Sequence, residues 1–206
     1  MCTRFYIEIS SDELKEIIEA ASNSVLTDRF LKQQARPLIT SGEVRPTDVA
    51  AVLAPDRNGK RAVYPMKWGF SIKGLNTPTI NARTESAALK PSFREAWKLH
   101  RCAVPASWYY EWEHIMRPDG KTRAGSKYAI QPRGASMTWL CGLYRIEDHL
   151  PVFTVLTREP SEDIEKIHNR MPLILPEDLI DRWICPDTKP EELLPYALTN
   201  MVLEKT

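Results

Sequence analysis

Met1-Cys2-Thr3-Arg4-Phe5-Tyr6-Ile7-Glu8-Ile9 opens the chain, and its second half decides how its first half is held. From Thr3 to Ile9, apolar Phe5, Ile7 and Ile9 alternate with their neighbours at the period of a half-buried strand. A strand here anchors the N-terminus in a sheet instead of letting it fray. Cys2 directly follows the initiator methionine and is small enough for ordinary methionine removal. Excision leaves an α-amine and a thiol on adjacent carbons of one residue. That amine titrates near 7.7–8.0, against about 10.4 for lysine, so far more of it is nucleophilic at neutral pH. It can condense with an aldehyde, and the thiol can close on the imine to a five-membered thiazolidine. Because both groups sit on one residue, the closure gains the advantage of pre-positioned reactants. The other reading of Cys2 is an ordinary second residue.

Outward from this stretch, Ser10 to Glu13 has the spacing of a capping box, followed by Leu14, Ile17, Ile18 and Ala21 at helical intervals. Residues 22–48 read as irregular. Val49 to Leu53 and Ala62 to Phe70 read as strands joined by the turn Asp56-Arg57-Asn58-Gly59. Ser92 to Glu95 offers a second capping box, and Arg101 to Trp112 is the most aromatic segment. A polar, basic loop is expected over 116–126. Strands follow at Lys127–Ile130, Met137–Tyr144 and Val152–Thr157, and helices at 161–167, 176–184 and 191–198. Strands scattered among short helices, without strict βαβ alternation, indicate one α+β domain over residues 1–206 around a strongly bent sheet.

Composition narrows the function. The 206 residues carry a net charge of only +1, so nucleic-acid binding would need a local arginine patch rather than bulk charge. Cys2, Cys102, Cys141 and Cys185 include no CxxC pair and no histidine at zinc spacing, so reduced thiols are expected and no metal site. Nothing resembles a signal peptide or a membrane span, and the expectation is a soluble, cytoplasmic protein.

Three further segments carry chemistry. Asn81-Ala82-Arg83 puts an amide and a guanidinium on one face of an extended backbone, or forms a polar loop. Glu111, between Tyr110 and Trp112, is either a desolvated carboxyl with a raised pKa or an outward strand position, since Glu113 continues the alternation. His168 and Arg170 follow a helix end before Met171-Pro172, where the imidazole serves proton transfer or a structural role.

Taken together these blocks are specific. Cys2 with Arg4-Phe5, Trp68-Gly69-Phe70, Asn81-Ala82-Arg83-Thr84-Glu85, Arg101-Cys102-Ala103-Val104-Pro105-Ala106 with Tyr110-Glu111-Trp112, and Ile167-His168-Asn169-Arg170-Met171-Pro172 occur in this order. The chain thus resembles the SRAP family, the SOS response-associated peptidases regarded as abasic-site shields. The resemblance spans essentially the whole length. It implies a barrel-like antiparallel β core with peripheral short helices, and a monomer associated with the nucleoid when bound to DNA. It also implies a thiazolidine crosslink between Cys2 and the ring-opened aldehyde of an abasic site in single-stranded DNA, with autoproteolytic removal of Met1 as the source of the peptidase name. Asn81, Glu111 and His168 match the polar residues around that crosslink. Arg4, Arg83 and Arg170 match phosphate clamps, Pro46 and Trp68 match positions lying against bases, and Thr157 matches a residue near the DNA backbone. No metal or organic cofactor is implied. The chain departs from the family pattern at Thr3, where glycine is usual, at Glu43, where the pattern has an amide, and at Ser107-Trp108, where it has Asp-Gly. Two alternatives use the same residues: an N-terminal-nucleophile amidohydrolase, with the Cys2 thiolate attacking an amide, and a non-covalent single-strand binding module.

Overall fold

Strand β1 forms at Arg4–Ile7 in a computed structural model that describes residues 2–117 and 119–206. It is shorter than the alternation suggests, because Ile9 has left the sheet and is 47% exposed. Helix α1 (Asp12–Ser22) is capped by Ser11, whose Oγ accepts the Leu14 N–H at 3.2 Å. The expected Ser10–Glu13 box therefore does not form. With Ser11 as the cap, Glu13 sits one position too early to reach back to it. Leu14, Ile17, Ile18 and Ala21 form the buried face, as their spacing predicts.

The segment expected to be irregular holds helix α2 (Val25–Gln34) and strand β2 (Gly42–Val44). Only Phe30 of α2 is fully buried, so the helix carries no apolar periodicity to read. The β3 (Val49–Pro55) and β4 (Arg61–Trp68) hairpin forms in the expected place. Next come β5 (Asn81–Arg83), α3 (Thr84–Ala87) and α4 (Arg94–Leu99). The second capping box is absent as well, since Phe93 occupies the cap position and makes no side-chain bond.

The aromatic segment splits at Ser107 into β6 (Arg101–Ala106) and β7 (Trp108–Met116), where the chain crosses from one sheet to the other. Strands β7 and β8 (Thr122–Pro132) run into the region expected to be a loop, pairing as far as Met116 with Thr122. After β9 (Thr138–Glu147) and β10 (Leu150–Arg158) come α5 (Glu162–Glu165), β11 (Met171–Pro172) and α6 (Ile180–Ile184). Two single 3-10 turns replace the expected last helix, and β12 (Met201–Lys205) closes the chain.

Strands β10, β4, β3, β6 and β9 pair in that order, and β9 pairs back onto β10, closing a five-stranded barrel. Its pairings are antiparallel except for β4 beside β10, where Val152 meets Lys67 in parallel register. The core is thus a mainly antiparallel barrel, as the resemblance implies, with this one parallel pairing within it. Gly142 is where β9 lies between β6 and β10: a Cβ there would come within 2.7 Å of the Thr154 carbonyl oxygen. A second, open sheet runs β12-β8-β7-β1-β2. Phe5 of that sheet packs on Trp68 of the barrel at 5.2 Å, and Trp68 stacks on Phe153 at 5.9 Å. All three rings are fully buried. Each contributes about 1.5–3 kcal/mol by leaving water, so the seam between the sheets is apolar and fixed. The candidate site lies along this seam. No helix among the described residues is long and apolar enough to cross a membrane.

Candidate active site

Cys2 lies one residue short of β1, which is hydrogen-bonded on both edges, to β2 and to β7. Asn81 begins β5, which runs parallel to β10 just beyond the point where β4 leaves it. From the barrel side, Asn81 Nδ2 donates to the Cys2 carbonyl at 2.8 Å. Only Nδ2 can donate, so this bond fixes the amide orientation and aims Oδ1 elsewhere. Oδ1 is buried and has no hydrogen-bond partner among the described residues. Cys2 is 0% exposed, and its Sγ lies 3.6 Å from the Arg4 carbonyl. Burial, with the negative field of Glu111 added, pushes the thiol well above its ordinary range. At neutral pH it is held as S–H.

Glu111 is 2% exposed, which decides between its two sequence readings in favour of the inward one. Glu113 faces elsewhere, across a bulge between Trp112 and His114, and takes the Ser126 N–H at 3.4 Å. Burial pushes the Glu111 carboxyl up to about 7. His168 is 5% exposed, and its Nδ1 accepts the Arg170 N–H at 3.0 Å. The neutral ring therefore carries its proton on Nε2. Burial is the main reason its pKa falls to about 4. The His168 ring lies 4.1 Å from that of His114, and His114 donates its backbone N–H to Ile167 at 2.9 Å. His114 thus ties the His168 loop to the strand that carries Glu111.

The expected DNA contacts divide. Arg83 is exposed at the end of β5, Arg4 is half-buried, and Pro46 is half-buried in the loop between β2 and β3. Trp68 is 0% exposed and donates Nε1–H to the Ile80 carbonyl at 2.9 Å. A ring with no open face cannot stack on a base, so Trp68 is part of the seam. Thr157 is likewise 0% exposed, with its Oγ1 3.4 Å from the Ala82 carbonyl. Arg170 is 8% exposed, and its fork is filled by Glu85 at 2.8 and 2.9 Å and by the Thr157 carbonyl at 2.8 Å. In this conformation Arg170 is a brace for the His168 loop, and its terminal nitrogens are not open to a phosphate.

A family model described as SOS response associated peptidase (SRAP) matches residues 1–205. The chain belongs to the SRAP family. It is 31% identical to the Bacillus subtilis protein named Abasic site processing protein YobE, over 98% of this chain and 92% of that one. It is 28% identical to Abasic site processing protein YoaM of the same organism, over 98% of this chain and 88% of that one. Among solved structures, a Bacteroides thetaiotaomicron protein superposes with a TM-score of 0.73 at 20% identity, covering 99% of this chain and 91% of that one. That likeness concerns the fold.

Two departures from the SRAP pattern find their explanation here. Thr3 is not among the residues with positive φ, so glycine is not required at that position. Trp108 stacks on Tyr6 at 4.6 Å on the face of the open sheet opposite Tyr109 and Glu111, so it does not wall the pocket. His114 and Glu85 emerge only from the structure: His114 lies in no motif, and the pairing of Glu85 with Arg170 is not visible in the order of residues.

The Glu111 carboxyl yields a pH prediction. Its folded pKa of about 7 lies above the ordinary 4.5, so its stabilising contribution is complete below about 4.5 and lost as pH rises through about 7. The loss amounts to roughly 3 kcal/mol. Glu111→Gln is expected to remove it, so that the variant gains on the native protein by about that much between pH 5 and pH 8. His168 acts in the opposite sense, its contribution present above about 6.5 and lost as pH falls through about 4. Denaturant midpoints of both proteins at the two pH values measure the difference. Parallel curves would show that Glu111 ionises freely.

Proposed function

We propose that this SRAP protein captures abasic sites in single-stranded DNA by a covalent bond to Cys2, after Met1 has been removed by an aminopeptidase or by the same pocket. The observation that carries this reading is the 2.8 Å bond from Asn81 to the Cys2 carbonyl. It ties the N-terminal residue to the barrel beside a buried carboxyl with a pKa of about 7. The relatives named as abasic site processing proteins, matched over almost the whole chain, point the same way.

The freed α-amine of Cys2 adds to the sugar aldehyde to give a carbinolamine, which loses water to give an imine. The thiol then adds across the C=N bond: sulfur bonds to carbon, and the thiol proton ends on nitrogen. Glu111 titrates near neutrality and so can donate the proton that turns the departing hydroxyl into water, and recover one later. The buried Oδ1 of Asn81 is a ready acceptor for the new amine. His168, neutral with its proton on Nε2, serves as a donor to the sugar hydroxyl. Arg4, Arg83 and Pro46 form the DNA-facing rim. Trp68, Thr157 and Arg170 act from behind as supports. The reaction needs no cofactor, and the protein acts as a monomeric single domain in the cytoplasm.

Incubation of the full chain, with Met1 removed, with an oligonucleotide carrying one abasic site tests this. A one-to-one adduct that survives heat and denaturant is expected. Amide turnover without an adduct would instead indicate the amidohydrolase, and binding fully reversed by salt the non-covalent module.

A further inference from the structure

Glu43 stands at the centre of a cluster of which the reading above uses only Arg4. Its carboxylate lies 3.0 Å from Lys127 Nζ, 2.9 Å from Arg45 Nε and 3.5 Å from Arg4 Nη1. Strand register puts these groups on one face of the open sheet, since Glu43 is opposite Tyr6, Arg4 opposite Tyr110, and Lys127 opposite Trp112. The Lys127 ammonium sits 3.5 Å from the Tyr110 ring centroid and 5.5 Å from that of Trp112. Arg45 is held in place by its own loop, where its N–H donates to Asp48 Oδ2 at 2.8 Å. Burial alone would raise the Glu43 carboxyl, but hydrogen bonds from Lys127 and Arg45 outweigh it and keep it below its ordinary value. Three cations thus share one carboxylate, leaving an excess of positive charge two residues from Cys2.

We propose that this cluster is a phosphate site, and that Glu43 is an internal stand-in for a backbone phosphate, displaced when a nucleic-acid strand arrives. Donors that converge on a carboxylate suit a phosphodiester equally, and the arginine fork suits both. Trp112, half-buried, supplies aromatic surface beside the charge, the combination that tracks single strands without regard to sequence, while the buried Tyr110 ring backs the Lys127 ammonium from below. Glu43 then sets the affinity for the strand, because the cations must exchange one anion for another. The proposal rests on the nucleic-acid reading given above and adds Arg45, Lys127 and Glu43 to the strand-binding surface.

The test uses an undamaged oligothymidylate, which has no aldehyde and forms no adduct, with binding followed by fluorescence anisotropy across a salt series. Glu43→Gln, which keeps the shape and an acceptor, is expected to bind about tenfold more tightly at low salt. It is also expected to steepen the salt slope by roughly 0.7 for the phosphate gained. Lys127→Met is expected to weaken binding and flatten the slope. Inorganic phosphate alone is expected to compete only weakly. Unchanged or weaker strand binding by Glu43→Gln overturns the proposal, as does undiminished binding by Lys127→Met. Full displacement of the strand by millimolar inorganic phosphate would assign the site to the free anion instead. None of these outcomes bears on the adduct, whose absence from the native protein would overturn the abasic-site reading by itself.

Discussion

Cys2→Ser is expected to lose the heat-stable adduct with abasic single-stranded DNA while still yielding an imine that borohydride traps. Serine after Met1 remains small enough for methionine removal, so the α-amine is retained and the first condensation proceeds. What changes is the closure. A hydroxyl adds to an imine far less favourably than a thiol, and the oxazolidine it would form reopens readily. The Cys2 side chain is enclosed, with its sulfur against the Arg4 carbonyl, so the smaller oxygen leaves the neighbouring residues in place. The variant therefore separates the two atoms of the proposed reaction, nitrogen first and sulfur second. Denaturing gels with and without borohydride, run before and after heating, read both steps. A heat-stable adduct retained in full would remove the thiazolidine, and loss of both products would mean that the substitution disturbs the position of the amine.

Arg101→Ala is expected to cost at least about 4 kcal/mol of stability, a large fraction of the 5–15 kcal/mol typical of a folded protein. Arg101 is 0% exposed and faces no acidic partner in the hydrogen bonds it makes. It donates instead to five backbone carbonyls. Nε reaches Trp183 at 2.7 Å, Nη1 reaches Trp97 at 2.8 Å as well as Lys98, and Nη2 reaches Thr188 at 2.8 Å as well as Cys185. These acceptors lie at the ends of α4 and α6 and in the turn after α6, so one side chain from β6 fastens both helices to the barrel. Truncation leaves the carbonyls without their donor, at about 1–3 kcal/mol for each that water does not reach, and leaves a void where the side chain was. Arg101→Lys should recover only part of the loss, because an ammonium offers three donors from a single point and cannot span five acceptors. Denaturant midpoints for the two variants provide the measurement. A loss below about 1 kcal/mol in Arg101→Ala would mean that water replaces the guanidinium without penalty.

Much of this protein is written in short-range pattern. The alternation through Phe5 and Ile7, the apolar face of α1 and the hairpin around Asp56 each depend on neighbours a few positions apart, where side-chain period and turn chemistry act directly. The order of the Cys2, Asn81, Glu111 and His168 blocks likewise identifies the family from sequence. Patterns of this kind fail where an element lacks an apolar period of its own. Helix α2 buries only Phe30 completely, and β12 is a strand because β8 supplies its partner.

The tertiary structure decided which of the matched residues meet solvent. Trp68 lies in the seam because Phe5, remote in sequence, closes over it, and Thr157 is enclosed because β5 and β11 run beside it. Arg170 is a brace because Glu85, on the helix after β5, fills its fork. The same holds for Glu43, which looks like a misplaced acid in a loop until β1 and β8 bring Arg4 and Lys127 against it. Burial and ion pairing depend on distances between segments that strand register sets. A linear sequence carries the residue types at each position, but the pKa of Glu111, the tautomer of His168 and the partner of each arginine follow only from which strand lies beside which.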